Sequence, residues 1–190
     1  TIRRGTGYVA VTTKDVATLS DSAWPHLTIL ERRVVLEDAR RRVLDGKVDL
    51  GALMSIWQRL ATSDDPLSVG DALGGTGRAS SLYPMKGLPT GIDPLLPVAR
   101  AAAVRAKVRA VLGPRFATVG MVPRADDDFA RELLRAAIVD AVSRTGDPVF
   151  TREAVRLAPS YRTLPVSLRT IVLRVAADTD PAFAAKLYGE

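Results

Sequence analysis

Leu164-Pro165-Val166-Ser167-Leu168-Arg169-Thr170-Ile171-Val172-Leu173-Arg174-Val175-Ala176-Ala177-Asp178-Thr179-Asp180-Pro181-Ala182-Phe183 decides the fold class. Leu164, Leu168, Ile171, Val172 and Val175 recur at i, i+4, i+7, i+8 and i+11, one stripe of a helix. Arg169 and Arg174 fall off that stripe. Pro165 sits in the first turn, where a missing N–H costs little. Asp180-Pro181 then stops and restarts the pattern, with a cap residue, a proline at N1 and a new apolar face from Ala182, Phe183 and Leu187. The unit is a helix, a tight joint and another helix.

The same plan runs back through the chain. Asp64-Asp65-Pro66 and Gly146-Asp147-Pro148 repeat the joint, and Asp147 and Asp180 stand 33 residues apart, the spacing of a helix-pair repeat. Thr28-Ile29-Leu30-Glu31 has capping-box spacing. It opens a helix to about Leu44 that closes at Gly46, with Leu30, Val34, Val35, Ala39, Val43 and Leu44 as its apolar set. Arg32, Arg33 and Arg40 to Arg42 are mostly its wet face. Asp49 caps a helix from Leu50 to Ala61 that turns Leu53, Ile56, Trp57 and Leu60 inward. Asp65-Pro66 opens a third, which fades into Gly74-Gly75-Thr76-Gly77. Residues 78–97 read as a long irregular loop. Val98 to Leu112 is an Ala- and Arg-rich helix ended by Gly113-Pro114, with Arg115 to Val119 as a short continuation. Asp126-Asp127-Asp128 lead a helix to Thr145 whose face is Phe129, Leu133, Leu134, Ala137, Ile138, Ala141 and Val142. Pro148 to Leu157 forms the next. Before all this, Asp15 to Leu19 is a helical turn, Asp21 caps another that contains Trp24, and Gly5-Thr6-Gly7-Tyr8-Val9-Ala10-Val11 reads as a strand with no partner of its own. The expected fold is all-α, an irregular superhelix of helix pairs of HEAT or armadillo type, with a short N-terminal β-strand.

At 190 residues, 47% apolar and 25% charged, the chain can bury an ordinary core and is globular in composition. With 5% aromatics, Ala, Val and Leu must fill that core, which favours closely packed helices over a sheet. The lack of cysteine excludes disulfides and cysteine metal sites. No apolar run approaches the roughly 20 residues that span a bilayer, and no signal peptide is visible. Cytoplasm and periplasm both stay open. A start at Thr1 suggests a processed product or an excised piece. The net charge of +6 is carried by arginine, since lysine contributes only Lys14, Lys47, Lys86, Lys107 and Lys186. The arginines are spread over every helix without interleaved aromatics. That pattern favours a solvated surface over a nucleic-acid platform.

Candidates for chemistry are few. His26 is the single histidine, so no HExxH pair and no Cys/His zinc site can be drawn from this chain. Trp24-Pro25-His26 reads as a structural turn before it reads as a one-histidine site. Asp126-Asp127-Asp128 can hold a hard cation, but helix capping accounts for it. Gly74-Gly75-Thr76-Gly77 lacks the GK[ST] ending and the preceding strand of a phosphate loop. Arg162, Arg169 and Arg174 can grip a carboxylate or simply face solvent. Tyr83 and Lys86 lie in the long loop, where binding residues concentrate. Tyr83, Lys86, Arg162 and Arg169 are the candidate ligand-contacting residues, and no residue is assigned a catalytic or metal-binding role.

Taken in order, these segments resemble the C-terminal helical domain of the aminopeptidase N family of zinc metallopeptidases, the endoplasmic-reticulum-aminopeptidase-like domain. Gly5 to Val11 resembles the strand that closes the family's small β-sandwich. Leu30 to Pro66 resembles its first helix pair and Asp-Pro joint. Leu112-Gly113-Pro114-Arg115, then Arg131-Glu132-Leu133-Leu134-Arg135 to Gly146-Asp147-Pro148, resembles the LGW…LRxxLLxxAxxxGDP run. Leu164-Pro165 to Asp180-Pro181 resembles the LPxxLRxxVxxxAxxxGD helix. Met121 stands where the family often has an aromatic, and Thr179-Asp180 replaces Gly-Asp. The resemblance implies that residues 1–14 end a β domain and that 15–190 form a helical domain cut short at its C-terminus. It implies a bacterial, non-catalytic domain fragment that caps the active-site chamber and shapes access of peptide substrates. Its partners would be the catalytic metallopeptidase domain, which holds the zinc, and the peptide. No cofactor, nucleic acid or membrane span belongs to this chain on that reading. Homo-oligomers can form through exposed apolar helix faces, and Phe183 and Leu187, with no successor helix, should be more exposed than their types suggest. The alternative is a free-standing helical-repeat module that binds protein or nucleic acid. A small enzyme using carboxylates of the long loop is the third reading.

Overall fold

In a computed structural model, which describes residues 23–73 and 97–189, the helix starts that the sequence marks with a polar cap are held by that cap. The Thr28 hydroxyl accepts from the Glu31 N–H while the Glu31 carboxylate accepts from the Thr28 N–H, so the capping box is complete. Asp49 accepts from Ala52, Asp65 from Ser68, Asp128 from Arg131, Asp147 from Val149 and Phe150, and Asp180 from Ala182 and Phe183. Each such cap satisfies backbone donors that a helix leaves open and contributes about 1 kcal/mol. All three Asp-Pro joints are built this way.

The described residues form eight α-helices and no strand. They are α1 (Ile29–Leu44), α2 (Leu50–Ala61), α3 (Pro66–Ala72), α4 (Val98–Val119), α5 (Phe129–Ser143), α6 (Pro148–Leu157), α7 (Val166–Thr179) and α8 (Pro181–Gly189). A 3₁₀ turn at Trp24–His26 precedes α1, and a 3₁₀ segment, Ala158–Thr163, joins α6 to α7. The N-terminal strand, the Asp15 turn, the Gly74 to Gly77 run and most of the long loop lie outside the described residues.

The chain divides into two compact units with the boundary between residues 101 and 102. In the first, α1, α2 and α3 pack on one another and bury Leu36, Ala39, Leu53, Trp57, Leu60 and Val69. In the second, α6 packs on α7, α7 on α8, and α5 on both α6 and α7. Leu164, Leu168, Val172 and Val175 are buried there as their spacing requires, and Phe183 and Leu187 of α8 are half-buried. Pro165 occupies the N-cap of α7, one position before N1.

Three expectations change. Gly113-Pro114 does not end α4, which runs through it to Val119. Pro114 removes one backbone donor, but Leu112, Phe116 and Val119 stay buried on one stripe across it, so burial carries the helix past the break. The true stop is Gly120, whose φ of +69° is a left-handed conformation that glycine adopts freely. Second, Leu30 and Phe129 are exposed, at 72% and 75%. Both sit in a first turn, where the side chain tilts toward the helix start. Third, Arg40 and Arg42 of α1 are half-buried and bonded. Arg42 pairs with Asp38, and Arg40 donates to the Ala72 carbonyl at 3.2 Å. At the other end of α1, Gly46 is the expected C′ residue. Its N–H reaches Val43 O and that of Lys47 reaches Arg42 O, which is a Schellman motif.

Candidate binding surface

The end of α4 and the loop 120–128 shape the most distinctive part of the second unit. A helix leaves its last four carbonyls without intrahelical donors. Here the Phe116 carbonyl accepts from the Gly120 N–H at 2.8 Å. That of Thr118 accepts from the Arg124 guanidinium at 3.1 Å, and that of Val119 from Arg135 Nε at 3.0 Å. Arg135 is 2% exposed and lies with Nη1 2.5 Å from Asp127 Oδ2, a carboxylate closed off from solvent. The Asp127 carboxylate also accepts from the Arg124 N–H at 2.6 Å. Within Asp126-Asp127-Asp128, Asp128 therefore caps α5 and Asp127 anchors the loop through a buried charge pair.

The Arg135 guanidinium first, and the Arg124 N–H next, hold the Asp127 carboxyl below the ordinary carboxylate range. A group with a depressed native pKa stabilises the fold above its unfolded pKa, and that contribution is lost as pH falls through the native value. Melting temperature should therefore drop as pH is lowered. Asp127→Asn should lower it at pH 7 yet give a flatter profile between about pH 5 and pH 3. Parallel profiles for the two proteins would show that the pair carries no such linkage.

Beside this loop lies an open groove of about 410 Å³ between the end of α4 and the outer face of α6. Phe116, Met121 and Val149 supply its apolar lining, and Arg152, Glu153 and Arg156 its polar side. The Phe116 ring packs against Phe150 with centroids 5.3 Å apart, so the floor is rigidly backed. Arg156 makes a two-pronged pair with Glu153, at 2.8 and 2.6 Å, which holds the Glu153 carboxyl below its usual range. Arg152 is exposed and free to meet an anion. An apolar floor with a charged rim is the general form of a small binding site.

Of the candidates named from the sequence, Arg162 and Arg169 do not line this groove. Tyr83 and Lys86 lie outside the described residues. Arg162 is exposed and stacks over the Tyr161 ring at 5.5 Å. Arg169 is half-buried and donates to the Leu164 carbonyl at 2.8 Å, so it closes the turn before α7. Arg174, expected on the wet side, reaches Ser143 of α5 at 2.7 Å. The guanidiniums of Arg32 and Arg59 each lie over the Trp24 ring, 5.7 and 5.5 Å from its centroid, and His26 is exposed. Trp24-Pro25-His26 is thus a stapled turn. Among the described residues no group of three or more His, Cys, Asp or Glu comes together to hold a metal.

Sequence reasoning missed Arg135 and the groove. Arg135 does carry a signal, because it shares a helix stripe with Ile138 and Val142, where a charge needs a buried partner. The groove has none, since it joins residues from two helices and a loop. Comparison with protein-family models, with curated proteins and with solved structures finds no match for this chain.

Proposed function

We propose that this chain is a non-catalytic helical domain of a zinc aminopeptidase of the aminopeptidase N type. On this reading the helix pairs form an irregular superhelix that caps the substrate chamber, docks on the catalytic metallopeptidase domain and shapes the access of peptides. The observation that carries it is the run from Asp128 to Gly189, in which Asp-Pro joints lead from α5 to α6 and from α7 to α8, and a 3₁₀ segment leads from α6 to α7, in the order of the motifs quoted above. The zinc belongs to the other domain. One histidine and no cysteine do not fit a zinc site of this type here, and no catalytic step is assigned to this chain.

The arginines bear on the alternative, a free-standing module for protein or nucleic acid. Arg40, Arg109, Arg124, Arg135 and Arg169 each donate to a backbone carbonyl at or just past a helix end. Guanidiniums used in this way have donors committed within the fold, and those on Ala72, Thr145, Thr118 and Val119 complement α-helix C-termini. The open groove favours a protein over a nucleic acid as the partner of such a module.

The coding sequence on the 5′ side of the Thr1 codon is expected to encode, in frame, an HExxH motif with a further glutamate downstream. A start codon there, with no peptidase domain, would overturn the proposal. The isolated 190-residue chain should not hydrolyse aminoacyl arylamides with zinc present, and clear zinc-dependent turnover would count equally against it.

A further inference from the structure

We infer that the groove on the second unit is a self-recognition site, filled by Phe129 of a second copy of this chain. The inference rests on the groove and the loop beside it and does not depend on the aminopeptidase reading. Phe129 is three-quarters exposed, unusual for a phenylalanine. It follows Asp126 and Asp128, both exposed. An aromatic knob with acidic residues just before it thus stands on the surface. The groove is its complement, with an apolar floor from Phe116, Met121 and Val149 and an unpaired cation, Arg152, at the rim.

The charges point to the same pairing. Glu153 already occupies Arg156, so the cation left for an incoming carboxylate is Arg152. Asp127 already serves Arg135, and Asp128 caps α5, so the carboxylate left to meet it is Asp126. The volume of about 410 Å³ accommodates one aromatic side chain, the residue type that anchors protein interfaces when seated in a pocket. Knob and groove flank the same loop, 120–128. In a twofold dimer the two copies exchange two identical contacts of this kind. The interface is small, one aromatic anchor and one charge pair per contact, so the dimer should be weak and weaker still in high salt.

Sedimentation equilibrium of the 190-residue chain tests this over about 1–200 µM at low salt, the range in which small interfaces associate. A monomer–dimer equilibrium is expected. Phe129→Ala should raise its dissociation constant by about tenfold or more, with circular dichroism and melting unchanged because Phe129 is exposed. Arg152→Glu should weaken the dimer similarly, and Asp126→Lys added to Arg152→Glu should restore it by reversing both charges. A chain that stays monomeric throughout overturns the inference. So does a dimer indifferent to Phe129→Ala, or a double variant that does not recover. Capture of an unrelated Asp-Asp-Phe peptide by a strictly monomeric chain would assign the groove to a foreign segment and sink self-recognition.

Discussion

Phe150→Ala should lower stability by about 3–5 kcal/mol, the usual cost of emptying a buried aromatic site. Phe150 is 1% exposed and packs on Phe116 with the rings tilted by 41°, a geometry that adds to simple burial. The rest of this core is mostly Val, Leu and Ala, with little side-chain length to collapse into the void. The loss should be local. Amide hydrogen exchange should accelerate along α5, α6 and α7, while α1 to α3 keep their protection. Phe150→Leu should cost far less than Phe150→Ala. A loss under about 1 kcal/mol for Phe150→Ala would mean that the Phe116–Phe150 pair does not organise this unit.

Trp57→Ala should cost the first unit about as much, again about 3–5 kcal/mol, and for two separable reasons. Trp57 is fully buried among α1, α2 and α3. Its indole N–H donates to the Ala72 carbonyl at 3.1 Å, where Arg40 also donates at 3.2 Å. That carbonyl ends α3, so two donors from two other helices hold the last turn of a seven-residue helix. So short a helix is not stable alone. Trp57→Phe keeps most of the apolar body and removes the donor. It should cost about 1–2 kcal/mol and speed exchange selectively in α3. If Trp57→Phe proved as damaging as Trp57→Ala, the carbonyl clamp rather than packing would dominate.

Much of the fold was legible because its signals are local. A cap residue bonds to a backbone only two or three positions away, so Thr28, Asp49, Asp65, Asp128, Asp147 and Asp180 announce helix starts without tertiary help. The stripe at Leu164, Leu168, Val172 and Val175 is also a property of one helix. The misreadings share the opposite character. Gly113-Pro114 looks like a stop in local terms, and only burial of Phe116 and Val119 carries α4 through it. Leu30 and Phe129 fit the periodicity of their helices, yet in a first turn their side chains tilt past the packed part of the helix and stay exposed.

The candidate site was hardly legible at all. Arg162 and Arg169 stand out as arginines in a promising segment, but the sequence does not show that one lies over its neighbour's ring and the other donates to the carbonyl before α7. The same side chain can grip a ligand or cap a helix, and the choice depends on which carbonyl lies within reach. The net charge of +6 reads as a wet basic surface, and what it does not reveal is that Arg40, Arg109, Arg124 and Arg135 reach carbonyls at or just past helix ends.

By itself, then, the sequence determined the helical class, most helix starts and the repeated Asp-Pro joint, because capping and periodicity act within a few residues of chain. Tertiary structure alone decided that Arg135 and Asp127 would be buried together, that Trp57 would clamp α3, and that Phe116, Met121, Val149 and Arg152 would share a groove beside an exposed Phe129. Those outcomes depend on residues brought together from separate elements, and their energies arise from desolvation and packing, which no single segment contains.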